Sequence, residues 1–244
     1  MKILVIPDVH GRQFWRDAVK ENIENVDKIV FLGDYLDPYD DEDEKVEFED
    51  AIKGLEEIID LKKNNSDKII LLLGNHDMHY LNGLYCDLAK STRYRSYYAK
   101  TISKILNDNL DLFNICYTAV IGDKKVIFTH AGITKHWADK CGIAFDDEIE
   151  ENVNKLLHDD DGIRKLAIIG EYRTWFGGDK TGSPLWCDIR EFDKNDNKEF
   201  DNDCIQIFGH TRLNPGRMAH YKNYYCVDSQ RAYILDDELK LEQI

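Results

Sequence analysis

The chain has 244 residues, 43% of them apolar and 32% charged, an ordinary composition for a water-soluble globular protein with a sizeable core. A formal net charge of -15 argues against a general electrostatic footprint for nucleic acid, but not against a phosphate-bearing substrate, because bound divalent cations dominate the field of a local site. Six cysteines without a CxxC pair, an apolar N-terminal run too short for a signal peptide, and no stretch approaching ~20 apolar residues lead us to expect a reduced, cytoplasmic chain without membrane association.

In chain order, Ile3-Leu4-Val5-Ile6 reads as a strand running to residue 7 and opening into Pro7-Asp8-Val9-His10-Gly11. Gln13 to Asn25 follows as a helix, with Phe14, Trp15, Ala18, Val19 and Ile23 at helical spacing on one face. A strand over 28–32 then enters Gly33-Asp34-Tyr35-Leu36-Asp37, which completes a right-handed, parallel βαβ unit. The acidic run from Tyr39 to Glu44 lacks the alternating ligands and central Gly of a calcium loop and reads as solvated.

Phe48 to Lys63 is the second helix. The strand 69–73 has no polar alternation, so it is expected to be covered on both faces. Gly74 lets the chain turn, and Asn75, His76 and Asp77 stand at the carboxyl end of a central strand, where open α/β sheets place their ligands. Met78 to Asn109 reads as mixed helix, with the cluster Arg93-Tyr94-Arg95 and Tyr97-Tyr98 taken as amphipathic packing.

Ile115–Ile121 and Lys124–Thr129, joined by Gly122-Asp123, form a hairpin that runs into His130-Ala131-Gly132. Thr134–Gly142 and Asp146–His158 are helical, and Asp159 to Gly162 is a turn. The Gly- and aromatic-rich segment from Glu171 to Trp186 reads as an irregular loop over the site, and Phe192 to Asn202 as exposed. Cys204–Phe208 enters Gly209-His210-Thr211-Arg212, and the rest, to Leu241, suggests an antiparallel sheet. No repeat or linker divides the chain, so residues 1–244 are expected to form a single domain.

Five apolar runs thus end in Asp, Asn or His, usually beside a Gly. Convergence of these strand ends gathers Asp8, His10, Asp34, Asn75, His130 and His210. That oxygen and imidazole set, with no thiolate, suits two divalent ions such as manganese, iron or zinc. Two ions about 3.5–4 Å apart neutralise phosphate oxygens and generate a hydroxide at neutral pH, and a bridging carboxylate is the natural keystone, for which Asp34 is the candidate. His76, if not itself a ligand, fits as the proton donor to a leaving alkoxide, with Asp37 holding its tautomer. His79, His136, His158 and His220 fall outside these strand ends and read as ordinary. Asp228, after an apolar run, reads as a turn residue.

Asp8-Val9-His10, Gly33-Asp34-Tyr35-Leu36-Asp37, Gly74-Asn75-His76-Asp77, Thr129-His130-Ala131-Gly132 and Gly209-His210 resemble, in order, the motifs of the calcineurin-like metallophosphoesterases. The resemblance implies a four-layer α/β/β/α sandwich of two mixed sheets flanked by helices. It implies one metal on Asp8, His10 and Asp34, a second on Asp34, Asn75, His130 and His210, and His76 as proton donor paired to Asp37. The activity implied is hydrolysis of a phosphate ester by a metal-bridging hydroxide, with manganese favoured.

Within the family, the first Gly-Asp motif is similar to protein serine/threonine phosphatases. Gly74 to Leu81 and His130 to Thr134 are similar to symmetrical diadenosine tetraphosphate hydrolases. A phosphoprotein or a nucleotide is therefore the expected substrate, with a dinucleoside polyphosphate hydrolase as the alternative activity. A non-enzymatic scaffold predicts lost ligands, and none of the six positions is lost. Two departures stand out. Pro38 follows Asp37 where those subfamilies carry an Arg at or near that place, and Arg212 stands where many members carry a second His. A guanidinium has no lone pair for a metal but can grip phosphate oxygens bidentately, which makes Arg212 a candidate substrate-binding residue.

Overall fold

In the computed structural model, which describes residues 1–39, 45–175, 177–194 and 204–244, the apolar runs are strands with two buried faces. β1 (Ile3–Ile6), β2 (Lys28–Phe31) and β3 (Ile69–Leu72) are parallel neighbours. Alternate side chains of a strand leave on opposite faces, and both faces here meet apolar groups. Leu4, Ile6, Ile29 and Phe31 pack with Trp15 and Val19 of α1 (Phe14–Asn22) and with Leu55, Ile58 and Ile59 of α2 (Phe48–Asn64). Ile3, Val5, Val30 and Leu32 join a second core with Val126, Phe128 and Ile207. This two-sided burial explains the absence of polar alternation in these strands.

The first sheet has the order β11-β10-β1-β2-β3-β4, where β4 is Phe113–Asn114, β10 is Tyr233–Leu235 and β11 is Leu241–Gln243. The second has the order β5-β6-β7-β9-β8, from β5 (Cys116–Ile121), β6 (Lys124–Thr129), β7 (Cys204–Phe208), β8 (Ala219–Tyr221) and β9 (Tyr224–Cys226). Ile127, on the opposite face of β6 from Val126 and Phe128, clusters with Trp137 of α6 (Lys135–Cys141) and with Ile149 and Val153 of α7 (Ile149–Asn154), and the same cluster takes in Tyr85 of α4 (Gly83–Ala89) and Ile102 of α5 (Ser96–Asp108). The result is the expected layering of helices, sheet, sheet and helices. The expected β5–β6 hairpin is present, with Ile121 opposite Lys124.

Four sequence expectations are corrected. The C-terminal strands do not form one antiparallel sheet. β7 pairs in parallel with both β6 and β9, while β10 returns to the first sheet beside β1. The turn expected at Gly74 is brief, since Asn75, His76 and Asp77 already form the first turn of α3 (Asn75–Leu81). Asp159 caps a helix, its carboxylate accepting from the Gly162 N–H, so the expected turn opens α8 (Asp160–Leu166). Phe192 is buried in α9 (Ile189–Lys194), stacked on Phe208, because its ring closes the end of the second sheet. The acidic residues 40–44, Phe176 and the polar run 195–202 lie outside the described residues.

Candidate functional site

Five strand ends converge between the two sheets. Asp8 follows β1, Asp34 follows β2, Asn75 follows β3, His130 follows β6 and His210 follows β7. His130 Nε2 lies 3.1 Å from Asn75 Oδ1, 3.0 Å from His210 Nδ1 and 3.4 Å from Asp34 Oδ2. His10 Nε2 lies 3.5 Å from the same Asp34 Oδ2, and the Asp8 carboxylate accepts from the His210 backbone N–H at 3.1 Å. All six residues expected at a metal site therefore meet. Asp34 is common to two groups of potential ligand atoms, Asp8-His10-Asp34 and Asp34-His130-His210.

The tautomers are fixed from outside. His10 Nδ1 donates to the Leu36 carbonyl at 2.7 Å and His130 Nδ1 to the Leu32 carbonyl at 2.9 Å, so each Nε2 turns a lone pair inward. The His130 Nε2 lone pair then faces two further acceptor atoms, Asn75 Oδ1 and Asp34 Oδ2. His210 Nε2, shielded from solvent, has no hydrogen-bond partner among the described residues. Burial, together with neighbouring carboxylates, raises the Asp8 and Asp34 carboxyls well above their usual range. Burial pushes His130 down to about 3, and His10 and His210 also fall well below the usual imidazole range. Converging lone pairs on buried acids and neutral imidazoles are the donor set of divalent cations, so these residues fit the expected group.

The backbone strains to achieve this. His10, Asp34 and His210 all have left-handed φ values, of 46°, 50° and 62°. For non-glycine residues such conformations persist only where surroundings impose them, and they cluster at functional sites. The bend at His10 is what lets Asp8 and His10, two apart in sequence, face one centre. Gly209 is required by close approach, since a Cβ there would fall 1.9 Å from Asp8 Oδ1. Asp77 is structural. Its buried carboxylate accepts from the N–H groups of Asp34, Tyr35 and Gly74 at 2.8, 3.0 and 2.8 Å, tying the β2 and β3 ends together.

Beside this centre, His76 Nδ1 lies 2.7 Å from Asp37 Oδ2, and the His76 ring meets that of His10 edge to face at 5.1 Å. Burial raises the Asp37 carboxyl, but His76 and His79 outweigh it and hold it below the usual range. Arg212 projects over the Tyr39 ring, 4.5 Å from its centroid, and Tyr39 itself packs edge-on against His10. The expected loop over the site is tied there by Arg173, which donates to the His210 carbonyl at 3.1 Å and to Thr211 Oγ1 at 2.9 Å.

Sequence reasoning missed several neighbours. Arg12 and Arg93 also stand over Tyr39, at 5.3 and 3.7 Å, so the 93–98 cluster is not packing alone. Asp228 is buried close enough to help raise Asp8 and Asp34, and so is more than the expected turn residue. His79, read as ordinary, is buried with Nε2 3.0 Å from Asp37 Oδ2. His136 does sit apart, paired to Asp179.

A four-layer sandwich whose strand ends bring two Asp/His groups together around a shared carboxylate defines the class of metal-dependent phosphoesterases. Residues 1–213 match the calcineurin-like phosphoesterase family, and the chain belongs to it. It is accordingly a hydrolase of phosphate esters. A protein serine/threonine phosphatase from Saccharomyces cerevisiae with similarity to human phosphatase PP5 shares the fold, with TM-score 0.55 at 14% identity, over 100% of this chain and 79% of that one. A metallophosphoesterase from Sphaerobacter thermophilus aligns with TM-score 0.44 at 15% identity, over 100% and 88%. An archaeal phosphodiesterase aligns with TM-score 0.39 at 15% identity, over 100% and 99%. No curated protein matches the chain. Among the described residues, no helix is long and apolar enough to cross a membrane.

Proposed function

We propose that the chain is a binuclear phosphoesterase, holding one divalent ion on Asp8, His10 and Asp34 and another on Asp34, Asn75, His130 and His210, with manganese favoured. The observation that carries this reading is the position of Asp34 Oδ2, 3.5 Å from His10 Nε2 and 3.4 Å from His130 Nε2, as a carboxylate oxygen common to both groups. Two bound ions supply charge neutralisation of the phosphate oxygens and activation of water.

The chain's own residues do the rest. His76 is the proton donor to the leaving oxygen. With Nδ1–H committed to Asp37, the proton it delivers leaves from Nε2, which lies 3.4 Å from Ser91 Oγ. Asp37 fixes the ring and stabilises its cationic form. Arg212 grips non-reacting phosphate oxygens, held near the centre by stacking on Tyr39. Arg93 on the same ring adds a second cation beside Pro38, whose carbonyl it approaches at 3.5 Å. The fold shared with a serine/threonine phosphatase supports a phosphoprotein-type monoester as substrate. The free thiols support a reducing, cytoplasmic setting.

Hydrolysis of p-nitrophenyl phosphate with added manganese, abolished by chelator and restored by manganese, is the expected result. A metal-loaded panel of phosphopeptide, mononucleotide and diadenosine tetraphosphate should favour the phosphopeptide. Preference for the dinucleotide would shift the substrate, and no turnover on any member with two ions bound would overturn the reading.

A further inference from the structure

Asp37 is served by more of the molecule than the His76 pair requires. His76, His79 and Tyr80 sit at i, i+3 and i+4 of α3, on one face of one helix. All three reach the same carboxylate. His76 Nδ1 and His79 Nε2 lie 2.7 and 3.0 Å from Oδ2, and the Tyr80 hydroxyl donates to Oδ1 at 2.6 Å. The Tyr80 oxygen accepts the Arg95 N–H at 2.8 Å, which leaves its own hydrogen for Asp37.

Ser91 reads both imidazoles. Its backbone N–H reaches His79 Nδ1 at 3.4 Å, and its hydroxyl stands 3.4 Å from His76 Nε2. An N–H can only donate, so His79 Nδ1 is an acceptor and the ring hydrogen sits on Nε2, beside Asp37. That N–H does not point straight at the oxygen, so the contact is a close polar approach and weaker than the Tyr80 bond. Asp37 itself has a left-handed φ of 59°, a conformation its surroundings must impose. His79 and Tyr80 are almost fully buried, and the Tyr80 ring stacks on that of Tyr94 with centroids 5.0 Å apart.

We propose that His79 and Tyr80 are positioning residues for proton donation, acting through Asp37 to hold His76 with Nε2 facing the leaving group; this rests on the phosphoesterase reading above. Neither touches substrate. Their effect is confined to the step in which the leaving oxygen needs a proton, and it passes through one carboxylate.

The test uses the manganese-loaded full chain with phenyl phosphate, a poor leaving group, and p-nitrophenyl phosphate, a good one. Tyr80→Phe and His79→Gln are each expected to lower kcat on phenyl phosphate by about tenfold, Tyr80→Phe more. KM, bound metal and kcat on p-nitrophenyl phosphate should stay near wild type. In an Asp37→Asn background neither substitution should lower kcat further, because the path they act through is gone. Ring-nitrogen NMR of the metal-free protein should show His79 protonated at Nε2 and His76 at Nδ1.

Equal loss on both esters, additive loss with Asp37→Asn, loss of metal, or His79 protonated at Nδ1 would overturn the proposal. If His79→Gln does not fold, the isosteric Tyr80→Phe carries the kinetic test alone. An inactive wild type would sink the phosphoesterase reading and this proposal with it, whereas the failed outcomes above in an active wild type would sink this proposal alone.

Discussion

At the scale of single residues, the site is a problem of protons. Asp8 and Asp34 are carboxyls whose pKa is raised by burial and by neighbouring carboxylates, whereas His10, His130 and His210 are held neutral by burial. A cation entering the metal-free protein therefore competes with protons for the two acids more than for the imidazoles. The sign follows: a raised acid pKa keeps protons on these acids to higher pH than usual, so metal affinity should rise as pH rises, until both acids are ionised. Calorimetric titration with manganese, repeated in buffers of different ionisation enthalpy, should show proton release. Asp34→Asn should remove part of that release, weaken both ions and abolish turnover, since a side-chain amide there has no acidic proton to lose and no charge to share. Two tightly bound ions with normal turnover in that variant would remove Asp34 as the bridge.

At the scale of elements, the loops after β2 and β3 depend on one clamp. Asp77, in the first turn of α3, accepts three backbone N–H groups that no other side chain among the described residues satisfies. Asp77→Ala leaves those buried donors unpaired and should cost roughly 3 kcal/mol or more of stability, read as a lower urea midpoint with an unchanged slope. A midpoint equal to wild type would mean that water replaces the carboxylate. Asp77 also shows where the sequence stops being legible. The strands, both crossover helices and the six convergent residues follow from apolar runs that end in Gly beside Asp, Asn or His. That Asn75 begins a helix does not, because a four-residue motif carries no periodicity. The face that α3 presents was readable in principle as His76-x-x-His79-Tyr80, but only once those residues are known to be helical. Arg93 and Asp228 reach the site from distant segments, and no local pattern reports that.

At the scale of the whole molecule, the ligands are divided between the two sheets. Asp8, His10, Asp34 and Asn75 extend from the first sheet, and His130 and His210 from the second. Pairing of β10 with β1 and of β7 with β9 returns the C-terminal strands to both sheets, an arrangement of long-range contacts invisible to residue-by-residue reading. Bound ions would thus join layers that otherwise meet through the apolar core of Ile3, Val5, Val30, Phe128 and Ile207. An ion that binds only the folded chain stabilises it by about 2.7 kcal/mol at a hundredfold excess over its Kd. For a chain of this size that corresponds to a rise in Tm on the order of 5–10 °C. Scanning calorimetry should show such a rise with manganese and its reversal by chelator. His130→Ala and His210→Ala should each lose a large part of it, because each removes a ligand supplied by the second sheet. The distinction lies in the metal-free comparison. If the ions clasp the sheets, these variants lose the increment that manganese adds, over and above any change in Tm without metal. A full manganese-induced rise in both variants would place the ions on the first sheet alone, and they would then clasp nothing between the sheets.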